Sequence, residues 1–144
     1  MKVINYKASN FKGDCYVRED FAKKLDIMNT VLVRYGMTAI ITSSGRKVDK
    51  KVKNAIVKPA KLGNHFVYGA IDFNLYHKAT NTYYNSTKLG DGLGQDDLCC
   101  KQIIIESGLR WGNAFQVKDS VHMDDSLNIT NPAEYTRLYN LYQK

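Results

Sequence analysis

Apolar residues at Phe21, Leu25, Met28, Leu32 and Tyr35 recur at alternating intervals of four and three, the spacing that lines one face of an α-helix. Asp20 stands where an N-cap belongs and Gly36 where a C-cap does, so a helix is predicted from Phe21 to Tyr35. The run Met37-Thr38-Ala39-Ile40-Ile41-Thr42 is short, apolar and β-branched, the mark of a buried strand, and it ends in the polar turn Ser43-Ser44-Gly45-Arg46. Arg46 is thereby expected at a strand end. Val48, Val52 and Ile56 draw a thin helical stripe among lysines until Pro59 and Gly63 break it into a loop. Phe66 to Leu75 is rich in aromatic and β-branched residues and reads as a strand, with Tyr83 and Tyr84 in a neighbour.

The glycine-rich acidic stretch Gly90 to Asp97 lacks the ligand alternation and terminal glutamate of an EF-hand loop. It is expected to be the turn before a helix capped by Asp96 or Asp97, running to Ser107 and stopped by Gly108. Leu98, Cys99, Ile103 and Ile104 would share its inner face. Asn131-Pro132-Ala133-Glu134 combines a capping residue, proline at the first helical position and glutamate at the third. Tyr135, Leu138, Tyr139 and Tyr142 then form a helical stripe. No repeat or low-complexity linker interrupts these 144 residues, which predict one α+β domain over 1–144, a small antiparallel sheet with flanking helices.

Composition narrows the class. With 44% hydrophobic and 24% charged residues the chain lies in the globular range. No stretch approaches the roughly 20 apolar residues that span a bilayer, and Met1 to Asp14 has no apolar signal core, so no membrane insertion and synthesis without an export signal are expected. Cys15, Cys99 and Cys100 form neither an even disulfide framework nor a Cys-x-x-Cys pair, which suits a reducing compartment of synthesis. The net charge of +7 is concentrated early: Arg46, Lys47, Lys50, Lys51, Lys53, Lys58 and Lys61 face only Asp49. Such a face either attracts polyanions or is simply solvated. No RNA-binding aromatic pattern, zinc-finger spacing or P-loop accompanies it, and nucleic acid is not expected as a partner.

Candidate chemistry centres on two of the three histidines. His65 precedes Asp72 by seven residues, a span that can cross from a loop into a strand and return a carboxylate to the imidazole. His122 follows Asp119 by three. A catalytic zinc site needs three nitrogen or oxygen ligands, an open position, and a carboxylate off the metal to take a proton. Spacing alone leaves two readings open, a metal site and ordinary core or surface histidines.

The motifs resemble a known family. Gly63-Asn64-His65 through Asp72 resembles the Ser-x-His-x-x-Gly-x-Ala-x-Asp motif of zinc-dependent peptidoglycan peptidases, which include D-alanyl-D-alanine carboxypeptidases and phage L-alanyl-D-glutamate endolysins. Gly108-Leu109-Arg110-Trp111-Gly112-Asn113-Ala114-Phe115 followed by Asp119-Ser120-Val121-His122 is similar to that family's Gly-x-x-Trp-Gly-Gly-x-Trp segment leading into Asp-x-x-His. Ser43-Ser44-Gly45-Arg46 resembles its Ser-Gly-x-Arg turn, one residue tighter. Gly63 stands for the family serine, Gly69 comes one place late, Asn113 replaces a glycine and Phe115 a tryptophan. None of these departures falls on a proposed ligand or base.

The resemblance implies Zn2+ held by His65, Asp72 and His122, with Asp119 as general base and Arg46 on a substrate carboxylate or the scissile carbonyl. Trp111 would shape the cleft or serve the core, and His77 matches no family position. It further implies a monomeric peptidase for the peptidoglycan stem peptide, most closely a phage-type L-alanyl-D-glutamate endolysin. Such an enzyme is made in the host cytoplasm and reaches the bacterial cell wall when a membrane-permeabilising partner opens the way. The alternatives are a D-alanyl-D-alanine carboxypeptidase and, in another class, a non-catalytic wall-binding or virion protein.

Overall fold

A computed structural model describes residues 2–48, 63–90, 98–112, 115 and 119–143. The expected stripe from Val48 to Ile56 beyond Val48 itself, the lysines from Lys50 to Lys61, the loop at 91–97 with its caps Asp96 and Asp97, and Asn113-Ala114 lie outside the described residues. So do the side chains of Leu98 and Cys99.

The chain opens with β1 (Val3–Asn5), β2 (Phe11–Lys12) and β3 (Tyr16–Arg18), followed by helix α1 (Glu19–Tyr35) and strand β4 (Met37–Ser43). Phe21, Ala22, Leu25, Met28, Val31 and Leu32 form the buried face of α1, as the periodicity required. Gly36 ends it in the left-handed conformation, φ 65°, its amide reaching Leu32 O and Val33 O. The expected N-cap is corrected: the helix begins at Glu19 with Arg18 at the cap position, and Asp20 lies within the first turn. There Asp20 accepts a 2.9 Å hydrogen bond from Arg18 Nε, so the carboxylate is engaged by a guanidinium instead of capping the helix.

A second correction concerns Phe66 to Leu75. Its first part is a 3-10 turn, Asn64–Val67, and the strand β5 starts only at Ala70 and runs to His77. Tyr68 at φ 58° separates the two, turning the chain where an unbroken strand was expected. β6 (Thr82–Tyr84), the short helix α2 (Ser86–Gly90), α3 (Leu98–Ser107), β7 (Arg110–Trp111), β8 (His122–Asp124), α4 (Leu127–Thr130) and α5 (Pro132–Gln143) complete the order. Gly108, at φ 71°, ends α3 as expected. Asn131 caps α5 by accepting from the Glu134 amide at 3.2 Å, but Glu134 turns its side chain to Arg137 and leaves the capping box half made.

β4 and β5 form the antiparallel centre of the main sheet, whose order is β2-β4-β5-β8-β7. The other edge of β5 is divided between β8, opposite Ala70 to Asp72, and β6, opposite Leu75 to His77. Among the described strands only β2 runs parallel to its neighbour. The expected α+β class with a small, chiefly antiparallel sheet is therefore what the chain adopts.

Strand parity sorts the two faces. Ile71, Phe73 and Leu75 of β5, Met37, Ala39 and Ile41 of β4 and Met123 of β8 enter one core with α1 and with Cys100, Ile103 and Ile104 of α3. Asp72, Asn74 and Tyr76 alternate with those core residues and lie on the opposite face. A smaller apolar cluster, Val67 with Tyr135 and Leu138, seats α5 on the 3-10 turn. Cys15 and Cys100 are both buried, and burial pushes the Cys15 thiol up to about 12, away from thiolate chemistry. No helix among the described residues is long and apolar enough to cross a membrane.

One buried cation ties the N-terminal strands to the second half of the chain. Arg18, 1% exposed, donates from Nη1 to Val67 O at 2.7 Å and from Nη2 to the buried Asp125 carboxylate. Removing one partner of a buried ion pair strands the other charge in a low-dielectric site. Arg18→Ala is accordingly expected to cost about 3–5 kcal/mol of unfolding free energy in a urea titration. A loss under about 1 kcal/mol would show that the pair contributes little to the fold.

Candidate metal centre

The 3-10 turn that carries His65 is closed at both ends by backbone geometry. Tyr68 takes the left-handed position, its amide bonded within the turn, and the Gly69 amide donates to Asn64 O at 3.0 Å. This accounts for glycine standing one place late. Tyr68 occupies the left-handed conformation itself, while a Cβ on residue 69 would come within 2.6 Å of the Asp125 carboxylate and 2.9 Å of Arg18. The turn after β4 docks on the same segment, since the Arg46 amide donates to His65 O at 3.1 Å. Gly45 lies under the Tyr68 ring, where a Cβ would meet a ring carbon at 1.9 Å.

Asp72 and His122 meet by register: they are directly paired across β5 and β8. Cross-strand partners on one face hold their Cβ atoms about 4.5–5.5 Å apart. Strand alternation places His122 and Asp124 on the same side of β8, with Met123 between them in the core. The result is a triangle of ligand atoms. His65 Nε2 lies 3.2 Å from Asp72 Oδ1 and 3.2 Å from His122 Nδ1, and His122 Nδ1 lies 3.1 Å from Asp72 Oδ1.

The outward nitrogens determine what the inward ones can do. His65 Nδ1–H donates to Ser44 O at 2.8 Å, and His122 Nε2–H donates to Asp124 Oδ2 at 2.7 Å. In the neutral imidazoles, both facing nitrogens then carry lone pairs, with a carboxylate oxygen completing the triangle. Two lone pairs 3.2 Å apart repel unless a cation lies between them. Three ligands about 2.0–2.1 Å from a tetrahedral ion stand about 3.3 Å from one another, close to the spacings here. His65, Asp72 and His122 thus form a group that can hold a metal ion.

Electrostatics agree with a cation-binding site. Burial raises the Asp72 pKa, but the facing His122 and His65, which donate to it whenever the facing nitrogens are protonated, outweigh this and hold the carboxyl well below the usual carboxylate range. Asp124 is likewise held low, against its burial, by His122, Arg110 and the Ser126 amide.

Arg46 and Asp119 line the same cavity of about 410 Å³ as the triad. Arg46 donates from Nη1 to Ser43 Oγ at 2.7 Å, with its guanidinium 5.7 Å from the Phe66 ring centroid. Asp119 is exposed, and its own backbone is held on both sides: its amide donates to Gly112 O at 2.9 Å and its carbonyl accepts the His122 amide at 3.2 Å. A Cβ at Gly112 would stand 2.3 Å from Asp119 O, so the glycine permits this approach. Trp111 serves the core, packing on the main cluster while Nε1 donates to Ser120 O at 2.7 Å, and it is not among the described residues that line the cavity. His77 lies at the far end of β5, hydrogen-bonded to Thr80.

Sequence reasoning missed Asp124, which orients His122, and the backbone carbonyl of Ser44, which orients His65. Asp124 had a readable signal, because a residue two places after His122 on a strand shares its face. The Ser44 carbonyl had none. Comparisons with protein-family models and with curated proteins give no match to the chain.

Protons and metal compete for His122. In the metal-free protein, burial opposes its charged form, but hydrogen bonds to Asp124 and Asp72 outweigh this and push the pKa up from 6.5 to about 9. A raised folded-state pKa adds stability that is fully present below 6.5 and lost as pH rises through about 9. Because a ligand histidine must release its proton, metal affinity is expected to move the other way, climbing between pH 6.5 and 9 and then levelling. Calorimetric titration of the metal-free protein at a series of pH values reads this directly, and a flat profile would remove His122 from the ligand set. His65→Ala is expected to abolish stoichiometric metal in elemental analysis.

Proposed function

We propose that the protein is a zinc-dependent peptidase acting on the stem peptide of peptidoglycan, with the L-alanyl-D-glutamate bond as its target in the manner of a phage-type endolysin. The observation that carries this reading is the convergence of His65, Asp72 and His122, with both imidazole tautomers preset, in an open cavity that also presents Arg46 and Asp119. Two imidazoles and one carboxylate suit zinc among the common divalent ions, and three protein ligands leave a position free. Zinc, when bound there, supplies Lewis acidity towards a carbonyl and towards water.

The remaining work falls to the chain's own residues. Asp119, exposed in the cavity and off the triad, takes a proton from the attacking water and returns it to the leaving amine, a task worth about 10²–10⁴ in rate. Arg46 holds a substrate carboxylate or the developing oxyanion; its planar fork, which among the described residues donates from Nη1 to Ser43 Oγ, suits either anion. Stem peptides bear carboxylates and belong to an anionic wall, which a protein of net charge +7 approaches favourably. In this reading the enzyme works as a monomer, is made in the host cytoplasm and gains the wall through a membrane-permeabilising partner.

Digestion of purified peptidoglycan with the zinc-loaded protein, followed by mass spectrometry, tests the reading. Chelator-sensitive fragments ending in a free L-alanine carboxyl are expected, whereas release of free D-alanine would assign the D,D-carboxypeptidase activity instead. Asp119→Ala should keep its zinc and lose about 10²–10⁴ in kcat. Wild-type turnover in that variant would exclude Asp119 as the base. A zinc-loaded protein that binds walls without cutting them would belong to the non-catalytic class.

A further inference from the structure

Two guanidiniums line the cavity, Arg46 and Arg110, and an arginine beside a hydrolytic centre is ordinarily taken as a clamp for the substrate. Their hydrogen bonds divide them. Arg110 donates from Nε to Asp124 Oδ1 and from Nη2 to Asp124 Oδ2, both at 2.8 Å, and Nη2 also reaches Asn128 Oδ1 at 3.2 Å. The bidentate edge that would grip a substrate carboxylate is already filled by a carboxylate of the chain. The guanidinium also sits 4.8 Å from the Phe115 ring centroid, which confines its plane.

Asp124 is saturated in turn. Its Oδ2 also accepts His122 Nε2–H at 2.7 Å, and its Oδ1 also accepts the Ser126 amide at 2.8 Å. Asp124 is 1% exposed, so no water competes for these lone pairs to any extent. The Asn128 oxygen that Arg110 touches also accepts Asn64 Nδ2 at 2.9 Å, and the Asn128 amide donates to Asn64 Oδ1 at 3.0 Å. Asn64 is the neighbour of His65 in the 3-10 turn. Arg110 therefore stands where the supports of both histidine-bearing segments meet, one path running through Asp124 to His122 and the other through Asn128 to Asn64.

Resting on the triad being the zinc centre, we infer that Arg110 is a positioning residue for the metal and takes no part in holding substrate. It fixes Asp124, which fixes the ring and tautomer of His122, while substrate anions fall to Arg46. The two imidazoles are then supported unequally: His65 leans on a neutral carbonyl, and His122 on a carboxylate clamped by an arginine. Outer partners of this kind typically contribute 10–100-fold to metal affinity. Lysine cannot replace the arginine, because one ammonium does not reproduce the two-pronged contact.

The test measures zinc affinity by chelator competition and the visible absorption of the cobalt-substituted protein, alongside KM and kcat at saturating zinc. Wild type, Arg110→Met, Arg110→Lys, Asp124→Asn and Arg46→Met are compared, with circular dichroism to establish folding. Both Arg110 variants and Asp124→Asn are expected to bind zinc about 10–100-fold more weakly and to shift the cobalt bands. Arg46→Met should keep wild-type zinc affinity and cobalt spectrum while raising KM. If Arg110→Met does not fold, Arg110→Lys and the near-isosteric Asp124→Asn still decide the matter. Wild-type zinc affinity in the Arg110 variants, with KM raised as in Arg46→Met, would overturn the inference and make Arg110 a substrate clamp. A wild-type protein that binds no zinc would overturn the centre itself and the inference with it.

Discussion

The centre depends first on a backbone register: Asp72 of β5 stands opposite His122 of β8. That pairing is enforced by apolar residues that never touch the cavity. Ile71 and Phe73 flank Asp72, Met123 follows His122, and all three are fully buried in the main core. Because side chains alternate across a strand, slipping β8 by one residue would turn Met123 toward the cavity and drive His122 and Asp124 into the core. Burying an aspartate and an imidazole without partners costs several kcal/mol, whereas the observed register satisfies both faces. The hydrophobic effect, which has no directional content of its own, thus aims two polar side chains of a group that can hold a metal ion.

The third member of the group, His65, comes from outside the sheet, and its placement rests on polar contacts. Arg18 holds Val67 O at the end of the 3-10 turn and Asp125 beyond β8, so one buried guanidinium spans the segments that deliver His65 and His122. Gln143 of α5, 2% exposed, donates through Nε2 to Arg46 O at 2.9 Å and Phe66 O at 2.6 Å, and accepts the Val48 amide at 2.9 Å. These groups are costly to desolvate, and such networks return little net stability even when satisfied. What they provide is position, and a ligand set works only when its members are held to within about 0.5 Å.

Charge is arranged in layers around the triad. Asp72 stays ionised at the centre, Asp124 stays ionised behind His122, and Arg110 balances the second of these at the cavity wall. Arg46 and Asp119 remain at the open side. Opposite charges close to one another but with different partners give one cavity a group that can hold a cation beside an exposed arginine and an exposed aspartate.

Periodicity and local chemistry in the chain determined the helix from the Phe21 stripe to Gly36, the Met37 strand and the Asn131-capped final helix, while motif resemblance, not spacing, singled out His65, Asp72, His122, Arg46 and Asp119, which the fold brings to one cavity. Each is written in residues close together in sequence, or in motifs that tolerate only a few substitutions. The tertiary structure decided the rest. It broke the expected Phe66 strand into a turn and a strand, because Tyr68 takes a left-handed conformation between Gly45, which lies under its ring, and Gly69, which packs against Arg18 and Asp125; Gly45, Arg18 and Asp125 all lie far off in the chain from this segment. It moved Asp20 from capping a helix to binding Arg18, and it recruited Asp124, Arg110 and the Ser44 carbonyl behind the ligands. An apolar pattern states which side of an element faces inward, but hydrogen-bond partners across the sheet follow from strand register, and register exists only once the distant strands have packed.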